Sequence, residues 1–143
     1  MPIVKFTAKR SLASGISLND EVTMAVKLRR SDGLTRGRTV EAERRTSLGG
    51  RREMYYHRAD VSWAAVSIPI SGTDVARMVM FLDSVESAET FEFAPYDSVG
   101  DSPIDWRDCI LEPSGYTETR EVPTGSSGNA DYFSYAFRIV ELP

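Results

Sequence analysis

Residues 81–97 read FLDSVESAETFEFAPYD, the end of a helix that runs straight into a strand. Upstream, Val75, Met78, Val79, Leu82 and Val85 recur at the 3.6-residue period of a helix with one apolar stripe. Ser71 and Thr73 are both N-cap candidates, and Ser71 with Asp74 resembles a capping box with a shorter acid. The pattern predicts a helix over 73–86, and no other segment is a convincing one. Downstream, Phe91 and Phe93 alternate around Glu92 until Pro95 ends the strand. A short helix with a single stripe has to lie on a sheet.

The sheet is written in period two. IVKFTA (3–8) is a short strand candidate, and SLASGISLND (11–20) carries loop chemistry. In 21–30, Val22, Met24, Val26 and Leu28 face one way, with Thr23, Ala25, Lys27 and Arg29 opposite. Asp32-Gly33 supplies a turn within 31–37. Residues 38–47 are almost wholly polar, so they are an exposed strand or a mobile arm. Residues 54–70 predict a long strand, with Val61, Trp63, Ala65 and Ser67 on one face and Pro69 near its end.

After the helix, Ile104, Trp106, Asp108 and Ile110 alternate with Asp105, Arg107, Cys109 and Leu111. Residues 116–122 form a polar strand candidate and 123–129 a loop. The clearest core strand lies in 132–142, where Phe133, Tyr135, Phe137 and Ile139 share a face. The sum is roughly eight short strands and one helix. It predicts a mainly β fold: an antiparallel β-sandwich or partial barrel with the helix packed on it.

At 143 residues, 41% hydrophobic and 27% charged, the chain suits one domain over 1–143. No apolar run approaches the roughly 20 residues of a membrane span, and MPIVKFTAKR has no secretory h-region. The single cysteine, Cys109, can form no intrachain disulfide and fits a reducing compartment. Its expected state is a buried small hydrophobe. Net charge is −4 but lopsided. Residues 1–60 hold 13 basic and 7 acidic residues, a balance of +6; residues 61–143 hold 4 and 14, a balance of −10. The basic pairs Arg29-Arg30, Arg44-Arg45 and Arg51-Arg52 fall in the first part. Such a chain either folds into a mixed surface or forms a dipolar protomer suited to head-to-tail assembly.

Chemistry is hard to find. His57 is the sole histidine, whereas a triad or zinc site needs one with partners. Nothing marks Cys109 as a lowered-pKa nucleophile. Asp97, Asp101, Asp105 and Asp108 miss the alternate-position pattern of a calcium loop. The serines lack a nucleophile elbow, and Gly49-Gly50 lacks phosphate-loop context. The expectation is no catalytic residue, no cofactor and no metal. The arginines of 27–58, with Tyr55, Tyr56 and Trp63, could bind nucleic acid, but the overall acidity and the missing signatures argue against it.

The order of signals in 48–112 is similar to that of a known family. A strand VSWAAVSIPIS (61–71) precedes a helix ending MFLDSVES (80–87). ETFEFAPYD (89–97) follows, then the tryptophan-bearing IDWRDCILEP (104–113), and the pattern closes on Phe137-Arg138-Ile139. This resembles the distal tail and lambda-type minor tail proteins of long-tailed bacteriophages. Where relatives often carry a glycine between helix and F-x-F strand, this chain has Ser87-Ala88-Glu89. The resemblance covers about two-thirds of the chain and makes Trp63, Leu82, Phe91, Phe93, Trp106 and Phe137 markers of the fold. It implies a structural virion component, made in the host bacterial cytoplasm. That component would form a hexameric ring at the tail tip, binding the tube and the baseplate hub without catalysis. Tube or terminator roles, or a nucleic-acid-binding β-domain, are the alternatives. Arg29, Arg30, Arg44, Arg45, Arg51 and Arg52 are the candidate assembly contacts. The polar strands 38–47 and 116–121 could add to a neighbour's sheet, and 31–53 and 123–130 could order on a partner.

Overall fold

In the computed structural model of the chain the described residues are 2–10, 12–46, 49–50, 52–95, 105–121 and 131–142, with backbone alone for 41–45 and 52–59. Seven strands and one helix follow one another as β1 (Ile3–Thr7), β2 (Glu21–Ala25), β3 (Leu34–Thr46), β4 (Arg52–Val66), α1 (Thr73–Val85), β5 (Phe91–Ala94), β6 (Arg107–Arg120) and β7 (Phe133–Glu141). All pairings are antiparallel, in a single sheet ordered β2-β1-β5-β6-β7-β4-β3.

The sheet curls. Just past β2, Leu28 bridges Ser67, just past β4, although the two strands sit near opposite ends of the strand order. Arg29 N–H donates to Val66 C=O at 3.0 Å and Ile68 N–H to Lys27 C=O at 3.1 Å. Of the two expected shapes, the partial barrel is therefore the one formed, and there is no second sheet among the described residues. The turn at Asp32-Gly33 makes this return possible. Asp32 sits at φ 59°, and a Cβ on Gly33 would lie 2.1 Å from the Arg29 carbonyl oxygen.

Helix α1 fills the concave side. Met78, Met80, Phe81, Leu82 and Val85 are buried, whereas Val75 and Val79 are half-buried. The apolar stripe is thus wider than the periodicity indicated, because the last two turns are enclosed. Phe81 is fully buried, with ring centroids 5.1 Å from Phe6, 5.2 Å from Phe91 and 6.0 Å from Phe137. The expected caps do not form. Gly72 is the N-cap, at φ 60°, and no side chain caps the helix.

Side chains from elsewhere fix the other end of α1. Buried Ser84 Oγ accepts the backbone N–H of Lys9 at 3.0 Å and of Arg10 at 3.3 Å. Arg10 pairs with Glu86 and Lys9 with Glu89, so cations reach the negative helix terminus from the β1–β2 loop. Tyr116 Oη donates to Asp83 at 2.7 Å and ties the helix to β6.

The strand count also changes. The candidates at 104–113 and 116–122 are one strand, β6. It is interrupted between Leu111 and Tyr116, where Leu111 faces Ile139 and Tyr116 faces Phe137. Pro113 sits inside that irregularity, where no ladder bond is asked of it. The expected eight strands are therefore seven. Within residues 31–53, which could order on a partner, Leu34–Thr46 form strand β3. The loop expected at 123–130 lies outside the described residues.

The helix-to-strand link also resolves. Ala88 has φ 61°, so the left-handed conformation is present without a glycine to relax it. A β-carbon there costs about 1–2 kcal/mol. Ala88→Gly is expected to raise stability by about 1 kcal/mol after glycine's own entropy loss, a rise of a few degrees in Tm by calorimetry. Leu82→Asp puts a charge beneath the helix and is expected to cost more than about 4 kcal/mol. Loss of near-ultraviolet dichroism would show it.

Candidate functional site

The functional surface begins where β4 leaves the sheet. Only Ser62–Val66 of β4 pair with β7, whereas β3 follows β4 along its whole length, from Leu34↔Ala65 to Thr46↔Arg52. Residues 52–61 and their partners in β3 thus run on as a two-stranded ribbon, roughly 30 Å long at strand spacing. Its register slips once, between Glu41 and Ala42. Glu41 faces Arg58 and Ala42 faces Tyr56, which leaves His57 as the extra residue of a bulge. Its side chain is outside the description.

The six candidate arginines separate into two groups. Arg29 and Arg30 are exposed at the entry to β3, and Arg29 Nη2 is 3.4 Å from Glu121. Arg44, Arg45 and Arg52 stand near the ribbon tip, where Arg45 faces Glu53 and Thr46 faces Arg52. Arg51 lies outside the described residues. A 13-residue strand separates the groups, so they do not make one patch. Arg36 and Arg38, exposed on β3 between them, carry the basic character along the edge. Their alternation in TRGR was the available signal.

The far end of the sheet is acidic. Glu21, Glu92 and Asp108 gather on β2, β5 and β6 around Lys5, lining a shallow depression of about 230 Å³. Lys5 Nζ lies 3.3 Å from Glu21 and 3.5 Å from Glu92, and these partners raise its pKa. Among the described residues this acidic cluster and the Arg36 and Arg38 edge of β3 carry opposite charge, although β1 and β2 themselves come from the basic half of the sequence.

The fold markers fall mostly together. Trp63, Leu82, Phe91, Phe93 and Phe137 are buried in the core. Trp106 is half-buried just before β6, with Lys5 Nζ 5.7 Å from its ring centroid. Trp63 Nε1 donates to Glu141 at 3.2 Å, and Arg107 Nη1 donates to the same oxygen at 2.7 Å. The hydrogen bond to Glu141 holds the Arg107 guanidinium protonated above its ordinary range. Arg36 and Arg107 both approach the Trp63 ring, at 5.9 and 5.8 Å. This cluster fastens the root of the ribbon to the body.

Of the polar strands expected to extend a neighbour's sheet, β3 is a true edge. Residues 116–120 pair with β7 on one side, and no described strand pairs on the other. The second edge is β2, bordered by a groove of about 450 Å³ against α1. Sequence reading passed over that groove because Met24, Ile70 and Met78 are far apart in the chain.

No group of His, Cys, Asp and Glu among the described residues could hold a metal ion. Asp105 is exposed beside Arg107 and Asp108 is exposed, whereas Asp97 and Asp101 lie outside the described residues. No described helix is long and apolar enough to cross a membrane.

No protein-family model matches this chain, and no curated protein matches it. Among solved structures, a chain of the anti-feeding prophage baseplate, from cryo-electron microscopy with six-fold symmetry applied, is similar at a TM-score of 0.44 and 12% identity. The match covers 99% of this chain and 89% of that one. A likeness that distant says nothing of what this chain does.

Cys109 is fully buried, and burial pushes its thiol up from 9.0 to about 12. The folded state therefore favours the protonated thiol. That contribution is whole below pH 9 and is lost as pH rises toward 12. Tyr116 and Tyr135 are also raised, by burial first, but from 10.0. Chemical denaturation should thus show a loss of stability between pH 9 and 10 that Cys109→Ala lacks.

Proposed function

We propose that the chain is a structural subunit of a long-tailed bacteriophage tail. Its place is the tail tip in the virion, as a ring-forming distal tail protein that joins the tube to the baseplate hub. It binds its neighbours, and it catalyses nothing. The observation that carries this reading is the β3–β4 ribbon. An isolated two-stranded ribbon is marginal in water. In this one, no described strand adds to the β3 edge, and β7 pairs with β4 only over Ser62–Val66. Such an arm gains its remaining partners from neighbouring subunits.

Charge supports the same assembly. A basic edge at β3 and an acidic end at β2, β5 and β6 favour head-to-tail contacts, which close into a ring when the rotation permits, six subunits in this proposal. The resemblance in 61–113 and at Phe137-Arg138-Ile139 supplies the tail context. Host-cytoplasmic synthesis and reduced Cys109 fit it. A tube or terminator position would use the same surfaces. The arginines of 27–58 leave one rival of another class, a nucleic-acid-binding domain.

Reversing Arg44 and Arg45 to Glu separates these readings. The double variant should keep its Tm within the small range typical of exposed substitutions. Incorporation into tail particles, scored by negative-stain microscopy, should fall about tenfold. Intact assembly would remove the charge argument. Salt-sensitive DNA binding by a stable monomer, with a slope set by the phosphates neutralised, would favour the rival.

A further inference from the structure

Among the described residues, the two most exposed large apolar side chains are Leu18 at 58% and Val40 at 51%. Leu18 stands on a fixed turn between β1 and β2. Asp20 N–H donates to Ser17 C=O at 3.1 Å, and the Asp20 carboxylate accepts Ser17 N–H at 2.9 Å. Asn19 takes φ 70°, which asparagine tolerates, and its N–H donates to Ala8 C=O at 2.7 Å. An apolar side chain held at the corner of such a turn gives up little freedom on docking.

Val40 has a matching setting on β3. By register with β4, Arg36, Arg38 and Val40 share a face with Trp63 and half-buried Val61, whereas Asp60 falls on the other face. Both arginines are exposed, and Arg36 lies over the Trp63 ring. In the turn, an exposed leucine stands two residues before an acid. On β3, an exposed valine stands two residues after a cation.

These two places cannot meet within one copy. Ile68 N–H bonds to Lys27 C=O, Arg29 N–H to Val66 C=O and Val66 N–H to Gly33 C=O, and β3 then continues along the same side of β4. The extension of β2 and strand β3 therefore run end to end in one direction. The Ser17–Asp20 turn precedes the first, and Val40 lies well along the second, with roughly 40 Å of strand between them.

We propose that the Ser17–Asp20 turn of one copy docks on the Arg38–Val40 face of the next. Leu18 packs on Val40 and Val61, and Asp20 meets Arg38. The contact is heterologous. Face against face would oppose Arg36 and Arg38 to themselves, and turn against turn would oppose Asp20 and Glu21 to themselves. The proposal rests on the head-to-tail reading and names its contact.

The test uses full chains. Leu18→Cys and Val40→Cys chains are mixed and oxidised, and Cys109, being buried, stays. The mixed disulfide should exceed either homodimer about tenfold, and should equally exceed the yield of Ser14→Cys with Val40→Cys. In sedimentation, Leu18→Lys and Val40→Asp should each abolish the self-association of the unmodified chain. Their equimolar mixture should form dimers that grow no further, since each variant keeps one good surface. Arg38→Glu should weaken association about fivefold. A statistical spread of disulfides, or a mixture that stays monomeric, would overturn the proposal. Oligomers that form without the Leu18–Val40 disulfide sink this contact and leave the ring reading standing. An unmodified chain that is monomeric at millimolar concentration and gives no mixed disulfide removes both.

Discussion

Phe81 is the constraint around which the molecule is arranged. Its ring touches Phe6 of β1, Phe91 of β5 and Phe137 of β7, so one helical side chain binds strands from three parts of the sequence. A flat sheet could not present those three rings to one point. The sheet curls around α1, and the Leu28–Ser67 bridge is the visible result of that curl. Aromatic pairs of this kind add about 0.5–1.5 kcal/mol each beyond simple burial. They define a direction for the core as well as a filling for it.

The core ends where α1 ends, and the chain does not. β4 is body strand from Ser62 to Val66 and ribbon strand before that. The same strand thus passes from a region laddered on both sides, by β7 and β3, to one where β3 is its described partner. The Trp63–Glu141–Arg107 cluster stands at the boundary. It anchors the ribbon at the point where leverage on it would be greatest. The sheet edges, the β3 arginines and the extended arm all lie outside the reach of Phe81.

Much of this was legible in the residues. Phe133, Tyr135, Phe137 and Ile139 alternate because β7 lies with one face on the core, and the helix stripe reads because α1 has one side open. What was not legible has physical causes. Pro113 and Gly115 read as a strand end, but β6 resumes its ladder with β7 beyond them. The polar β3 lacks alternation, and Arg38, Thr39, Val40 and Thr46 are exposed on both of its faces. Glycine was the expected device at the helix exit, yet Ala88 takes the left-handed turn, held by neighbours that spacing does not reveal. The arginine pairs looked equivalent in one dimension. Strand β3 places them at its opposite ends, so the assembly surface could be named by charge but not drawn.

The strand order carries a consequence for biogenesis. β7 is the latest of the seven strands in the chain, yet it lies inside the sheet, between β6 and β4. Before β7 exists, β3–β4 and β2-β1-β5-β6 share no continuous ladder. Until Phe133–Glu141 pair, the chain consists of two half-sheets with four borders between them. Pairings so distant in sequence close slowly, and exposed borders invite mispairing meanwhile. The charges along β3 and the polar residues of β6 guard those borders against mispairing.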